Sequence, residues 1–438
     1  MPECPVAVDF DPLDPAVLED PFPSLERLRS AEPIFFLPAL GHYIVTRYED
    51  VEKILMDRTT WSAANASSPL VQLCPAAQRV LDNGFTRVPT LNNADPPRHA
   101  PMRKAVLSVM TPGRLRSLEA GLRAYAQDLV LGFRDEPVID FVERFSFPLA
   151  SFAGFNLLGF PASDSEMLKE WGDTRALLTY GRTPEQDQVA AAEAVLSMWK
   201  YVEGHVAVRD AEPREDLTSD LIRLSRERPE QLNEADIVNI IYSMALASQE
   251  TTSSSLSNGL LALLRNRDQW ERLLAEPELI PDATEEILRF DGSVLSHRRV
   301  AKVDTKVGEF DVPAGSPIMM CFASADHDPV QFGADADDFR VDRRGADRHL
   351  AFGRGPHLCL GAPLARLEIR VALELLCALT PRIDLVPGSK HEYSPKALFH
   401  DLRLLPVAPQ GVAGWRAAGD QLAAPDPSHR DSSRRAVT

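Results

Sequence analysis

Cysteine is sparse and scattered. The five residues, Cys4, Cys74, Cys321, Cys359 and Cys377, form no C-x-x-C pair. That spacing argues against a disulfide scaffold, a cysteine-rich zinc site or a bound iron–sulfur cluster, and points to a reducing compartment. Basic charge is in deficit too. Lys and Arg total 47 against 64 Asp and Glu, a formal net charge of -17. No local basic run offsets it, so nucleic acid is not an expected partner. No apolar stretch reaches the ~18 residues of a membrane span. The N-terminus MPECPVAVDFDPLD is acidic and lacks a charged segment followed by an apolar run. A soluble, cytoplasmic protein with no membrane partner is therefore expected. Internal repeats are absent.

Proline is plentiful, at 35 residues, and clusters where elements should break. A short helix is expected around Ser24–Ser30. A hairpin follows over 31–48 about Gly41, then a loop over 62–97 rich in Ser, Asn, Gly and Pro. Helical spacing runs over 98–134 and 182–208. The strongest helix begins at Asn233, where Asn233 and Asp236 resemble a capping box, and runs to Leu264. At about 1.5 Å per residue it is about 48 Å long and should cross the core. Helices also fit Asp268–Ala275, Asp282–Phe290 and Ala362–Leu379, with short strands over 295–320 turning at the PAG of 313–315. Helix dominates, strands are minor, and residues 409–438 read as a disordered tail after a domain spanning 1–408.

One cysteine stands apart. Cys359 lies in AFGRGPHLCLG, where Gly353, Gly355 and Gly361 free the backbone to approach a flat cofactor and aim peptide N–H groups at the sulfur. The following helix would place its positive end beside a thiolate. Phe352 would shield one side. From this segment alone four readings stand: a haem-iron ligand, a thiol nucleophile, a zinc ligand, and a buried structural cysteine.

The mid-helix run Ala247-Ser248-Gln249-Glu250-Thr251-Thr252, followed by three serines, is polar where a core helix should be apolar. It reads as a groove for dioxygen and water, with Thr251 donating a hydrogen bond and Glu250 relaying protons. A solvated face or a small-residue helix contact reads equally well. Glu286 and Arg289, at i and i+3, form either a surface ion pair or a buried lock near the cysteine loop, with Arg340 as candidate third partner. His99, Arg103, Arg299 and His357 are solvated surface groups or partners for two haem propionates.

In combination these segments resemble the soluble bacterial cytochromes P-450. Phe352, Gly355, Cys359 and Gly361 match Phe-x-x-Gly-x-x-x-Cys-x-Gly; Glu286 and Arg289 match Glu-x-x-Arg; Ala247, Glu250, Thr251 and Thr252 match the central-helix pattern. Residues 95–103 match DPP-x-H-x-x-x-R, and ASADHDP at 323–329 resembles the stretch before the haem loop. The resemblance implies a mainly α, triangular-prism fold with a small β-rich region, holding haem b. It implies Cys359 as axial ligand to the haem iron, with Phe352, Gly353 and Ala247 about the haem. Thr251 and Glu250 become the distal alcohol–acid pair, and His99, Arg103, Arg299 and His357 the propionate contacts. Ser248 departs from the pattern, standing where glycine is usual.

The expected activity is insertion of one oxygen atom from O2 into a mainly apolar small organic molecule, as in natural-product tailoring or aromatic catabolism. O-demethylation and oxidative coupling are alternatives. Electrons would come from a separate ferredoxin and NAD(P)H-dependent ferredoxin reductase docking near Arg354, Arg366 and Arg370. The expected pocket combines residues 61–93 with Met244, Ser248, Val294, Leu295, His297 and Leu398; His297 would contact a polar substrate group or bond to backbone. A non-catalytic haem carrier or sensor and a haem-free scaffold are the rival readings.

Overall fold

The computed structural model describes Pro5 and residues 9–411. The helix Glu234–Arg265 runs through the centre, buried on most sides over its C-terminal half. Its start is the expected capping box: the Asn233 side chain accepts from the Asp236 N–H (3.1 Å), and the Asp236 carboxylate accepts from the Asn233 N–H (2.9 Å). The hydroxyl run is divided between two tasks. Ser253 and Ser257 meet Ser146, with Ser146 Oγ 2.7 Å from Ser257 Oγ and 3.2 Å from Ser253 Oγ. These serines thus make a small-residue helix contact, and Ser248, Thr251 and Ser253 also line a cavity.

Small residues also set how closely neighbouring helices approach. A Cβ added at Gly259 would lie 2.6 Å from Ile287 Cγ2, on the helix Ile280–Phe290 that carries Glu286 and Arg289. Gly259→Ala is therefore expected to lower stability by about 1–3 kcal/mol through overpacking, read as an earlier denaturant midpoint. Gly154, on helix Phe147–Leu158, is filled in the same way by Ser248: a Cβ there would sit 2.6 Å from Ser248 Cβ. The hydroxymethyl that replaces the usual glycine is accommodated by a glycine across the helix contact.

The hairpin Ile34–Leu37 with His42–Val45 forms as expected, Gly41 taking a φ of 64° at the turn. It extends a five-stranded sheet through Pro317–Cys321, Ser296–Ala301 and Trp61–Ser62, with only the His42–Val45/Pro317–Cys321 pairing parallel. Helix Ala362–Leu379 has the expected bounds.

Several elements differ from the sequence reading. The loop expected over 62–97 contains the helix Pro75–Asp82. The helical run over 98–134 is two helices, His99–Val109 and Pro112–Phe133. Pro112 has no N–H to continue the first, and Thr111 caps the second by accepting from the Arg114 N–H at 3.2 Å. Helices Phe147–Leu158, Ser165–Tyr180 and Leu217–Glu227 were not anticipated. The first is apolar nearly all round, so it carries no amphipathic period. Residues 412–438 of the expected tail lie outside the described residues.

Candidate active site

The loop before helix Ala362–Leu379 closes on itself through the Cys359 N–H, which donates to the Phe352 carbonyl at 2.9 Å. Gly355 has a φ of 68°, and a Cβ on it would lie 2.5 Å from the Leu55 carbonyl, so a side chain is excluded on two grounds. Cys359 opens onto a cavity of about 430 Å³. Burial pushes the Cys359 thiol up, and the nearby backbone N–H groups of Gly361 and Ala362 oppose this by favouring negative charge on the sulfur. Phe352 and Gly353 line the same cavity, and Arg366 lies 4.7 Å from the Phe352 ring centre.

What holds this loop is buried ionic structure. Glu286 and Arg289 side chains are fully buried and bidentate, at 2.6 and 2.8 Å. Arg289 also donates to the carbonyls of Asp326 and Ala336, both at 2.8 Å. Asp326 in turn accepts from the Leu350 N–H at 2.7 Å, at the foot of the cysteine loop. The lock is therefore buried, and its third member is Arg343, whose Nε donates to Glu286 at 3.1 Å. Arg340 is corrected: only its backbone N–H reaches Glu286 (3.0 Å), while its guanidinium pairs with Asp335. Three residues further on, Arg343 points inward, with 5% of its side chain exposed against 48% for Arg340.

His99, Arg103, Arg299 and His357 converge. The His99 and His357 rings are 4.0 Å apart, and Arg103 donates to the Leu358 carbonyl at 2.5 Å. Arg299 reaches His297 Nδ1 at 3.1 Å. Among the described residues neither Arg103 nor Arg299 forms an ion pair, and the buried His99 Nε2 has no hydrogen-bond partner. Unpaired cationic groups beside a sulfur with amide donors fit haem, whose two carboxylates would complete the cluster.

The long helix supplies Met244, Ala247, Ser248, Glu250 and Thr251 to the cavity, and Val294 and His297 join them. Thr251 Oγ1 donates to the Ala247 carbonyl at 2.8 Å. His297 both lines the cavity and bonds to backbone, accepting from the Arg298 N–H at 3.0 Å. Leu295 and Leu398 do not line it; both pack with Phe35, Leu37 and Ile44. Side chains alternate along extended chain, so Val294 and Phe399 take the cavity side.

Glu250 meets a partner that sequence reasoning missed. Lys396, fully buried, lies between the Glu250 carboxylate and Asp401, at 2.5 Å from the latter. Ser254 donates to Asp401 at 2.7 Å, and Arg403 pairs with Asp173 at 2.9 Å. Burial raises the Glu250 carboxyl above the ordinary range even against Lys396. At Asp401 burial is outweighed by Lys396 and Arg403, and the carboxyl is held low. No local pattern ties Lys396 to a residue 146 positions earlier.

A mainly helical fold that brings Cys359, Glu250, Thr251 and cations without ion-pair partners to one cavity is the arrangement expected of a haem-thiolate protein. The cytochrome P450 family profile matches residues 165–378. The putative cytochrome P450 YjiB of Bacillus subtilis (strain 168) is 30% identical over 374 residues, covering 84% of this chain and 89% of the relative. Cytochrome P450 monooxygenase PikC of Streptomyces venezuelae is 30% identical, covering 92% and 94%. The solved structure of cytochrome P450 CREJ in complex with (4-ethylphenyl) dihydrogen phosphate is 31% identical, with a TM-score of 0.88 over 91% of this chain and 99% of that one. The chain belongs to the cytochrome P450 family. Family membership implies haem b, and among the described residues no helix is long and apolar enough to cross a membrane.

Proposed function

We propose that residues 1–408 act as one haem-thiolate monooxygenase that inserts an oxygen atom from O2 into a small organic molecule. The observation that carries this reading is one cavity receiving Cys359, the His99–Arg103–Arg299–His357 cluster and the Glu250–Thr251 pair. Bound there, haem supplies reductive activation of O2, favoured by thiolate ligation. Cys359 would hold the iron, with the Gly361 and Ala362 amides tempering the sulfur's charge. His99, Arg103, Arg299 and His357 would hold the propionates. Thr251 spends its hydroxyl proton on Ala247, which leaves its oxygen as an acceptor for a water in the cavity. Glu250, raised by burial, would take protons from the Lys396–Asp401 side and pass them inward. Apolar Met244, Val294 and Phe399 would hold the substrate body and exclude water.

Electrons would come from a ferredoxin and its NAD(P)H-dependent reductase. On the expected docking face Arg354, Arg366 and Arg370 are already paired, with Glu52, Glu285 and Glu119. An acidic partner would exchange with these carboxylates, so its association should weaken with salt.

The reduced, carbon monoxide-bound difference spectrum tests the reading. Wild type is expected to give the red-shifted Soret band of thiolate-ligated haem, and Cys359→Ala to lose it. A folded wild-type protein without that band overturns the assignment.

A further inference from the structure

The substrate cavity contains two arginines that the oxygen chemistry does not use. Arg175, on helix Ser165–Tyr180, is 9% exposed, and Arg87 comes from the segment after helix Pro75–Asp82. Both line the cavity beside Tyr180, Ser67 and Asn92. Burial, and after it the charge of Arg175, lowers the pKa of Arg87 to about 10. At Arg175 burial is opposed by the neighbouring phenols of Tyr180 and Tyr242, which hold its pKa up and keep the guanidinium charged. Among the described residues neither forms an ion pair. Arg87 donates to the Ser67 carbonyl at 3.2 Å, and Arg175 lies 5.7 Å from the Tyr180 ring centre. The phenol of Tyr242 adjoins Arg175, but burial raises its pKa, so it keeps its proton and does not neutralise the charge.

The cavity's carboxylates are engaged elsewhere or lie apart. Asp173 pairs with Arg403, and Glu250 and Asp401 share Lys396. Glu368 stands on the helix that follows the cysteine loop. Among the described residues none of them is ion-paired with Arg87 or Arg175. The contacts of Arg87 and Arg175, to Ser67 and Tyr180, are not shared with the proposed propionate cluster of His99, Arg103, Arg299 and His357.

Two like charges held together in a largely buried site, without an anion, are costly unless a ligand completes them. Resting on the monooxygenase reading, we propose that Arg87 and Arg175 form an anion subsite that selects substrates with an apolar body and a carboxylate or phosphate-ester head. Guanidiniums suit such heads because they donate paired N–H groups in a planar fork. Tyr242 precedes Thr251 by nine positions on one helix, about 13 Å at about 1.5 Å per residue. Oxygen would therefore be delivered to a carbon several bonds from the head.

The test titrates the purified holoprotein with matched pairs: decanoate with decanamide, p-butylbenzoate with p-butylbenzamide, and naphthyl phosphate with naphthol. Binding is read from the ferric Soret shift and from the melting temperature. Wild type should bind at least one anion at least about tenfold more tightly than its neutral partner. Which head shows the preference separates carboxylates from phosphate esters. In Arg87→Gln/Arg175→Leu the ratio should fall to near one, with the carbon monoxide spectrum unchanged. The ligand-free variant should melt no lower than wild type, because it sheds two largely buried charges that have no carboxylate partner.

Neutral members binding as well as anions, no member binding, or a preference that survives the double variant each overturns the subsite. A lower melting temperature in Arg175→Leu with no anion preference in wild type assigns the arginine to structure and also overturns it. Loss of the thiolate spectrum in wild type would instead strike the monooxygenase reading, and the melting shifts with anions still report on the arginines.

Discussion

Arg289→Leu is expected to yield protein that retains no haem. The substitution strands the fully buried Glu286, leaving Arg343 as its one remaining guanidinium, and removes the donors to the Asp326 and Ala336 carbonyls. Breaking a buried ion pair by deleting one partner costs about 3–5 kcal/mol, and unpaired carbonyls add to that. The damage propagates because Asp326 anchors the Leu350 N–H at the foot of the loop that carries Cys359. Arg289→Lys should fail too, since one ammonium cannot reproduce a fork that serves Glu286 and three carbonyls together. Haem content per folded protein, measured by absorbance after size exclusion, checks both variants. By contrast Arg340→Ala, which removes a half-exposed side chain paired with Asp335, should stay within about 1 kcal/mol of wild type.

Lys396→Met should act on the proton side of the chemistry. The ammonium is fully buried between Glu250 and Asp401. Without it two carboxylates share a buried site, and one must take up a proton. Turnover should fall by about 10²-fold, the lower range for loss of a positioned acid or base, with KM little changed. Stability should fall by about 3–5 kcal/mol near neutral pH.

The pH dependence follows from the sign of the shifts. In wild type Asp401 is held low, so its contribution is present above its unfolded pKa and is lost as pH falls through the folded one. Glu250 in wild type already lies above its unfolded value, raised by burial to about 7, so its share of stability declines as pH rises toward that value. In the variant, without Lys396, the proton-bearing carboxyl is raised further, so the decline continues to higher pH. The deficit against wild type should therefore be larger at about pH 8 than at about pH 5. Denaturant midpoints across that range provide the check. Adding Asp401→Asn should restore part of the stability by removing the second carboxylate, while turnover stays low.

Local patterns carried much of this. The capping box at Asn233 and Asp236 marks the start of the central helix because its hydrogen bonds join residues three apart, and the structure preserves both. The cysteine loop and helix Ala362–Leu379 were legible for a similar reason: glycines and a helix start are consecutive features of the chain. The apolar helix Phe147–Leu158 was not, since a segment buried all round has no period to read.

The partners of those local features lay beyond the sequence. Glu286-x-x-Arg289 is visible as a pair, yet whether it is a surface ion pair or a buried lock depends on burial. The choice of Arg343 over Arg340 depends on which way a turn aims two nearby guanidiniums. Lys396 meets Glu250 across 146 residues, and Arg87 and Arg175 reach one cavity from two separate segments. Short-range hydrogen bonding and side-chain period are properties of neighbouring residues and survive in the sequence. Burial and charge pairing are set by which distant segments pack together, and their energies are settled only when the folded chain removes those groups from water.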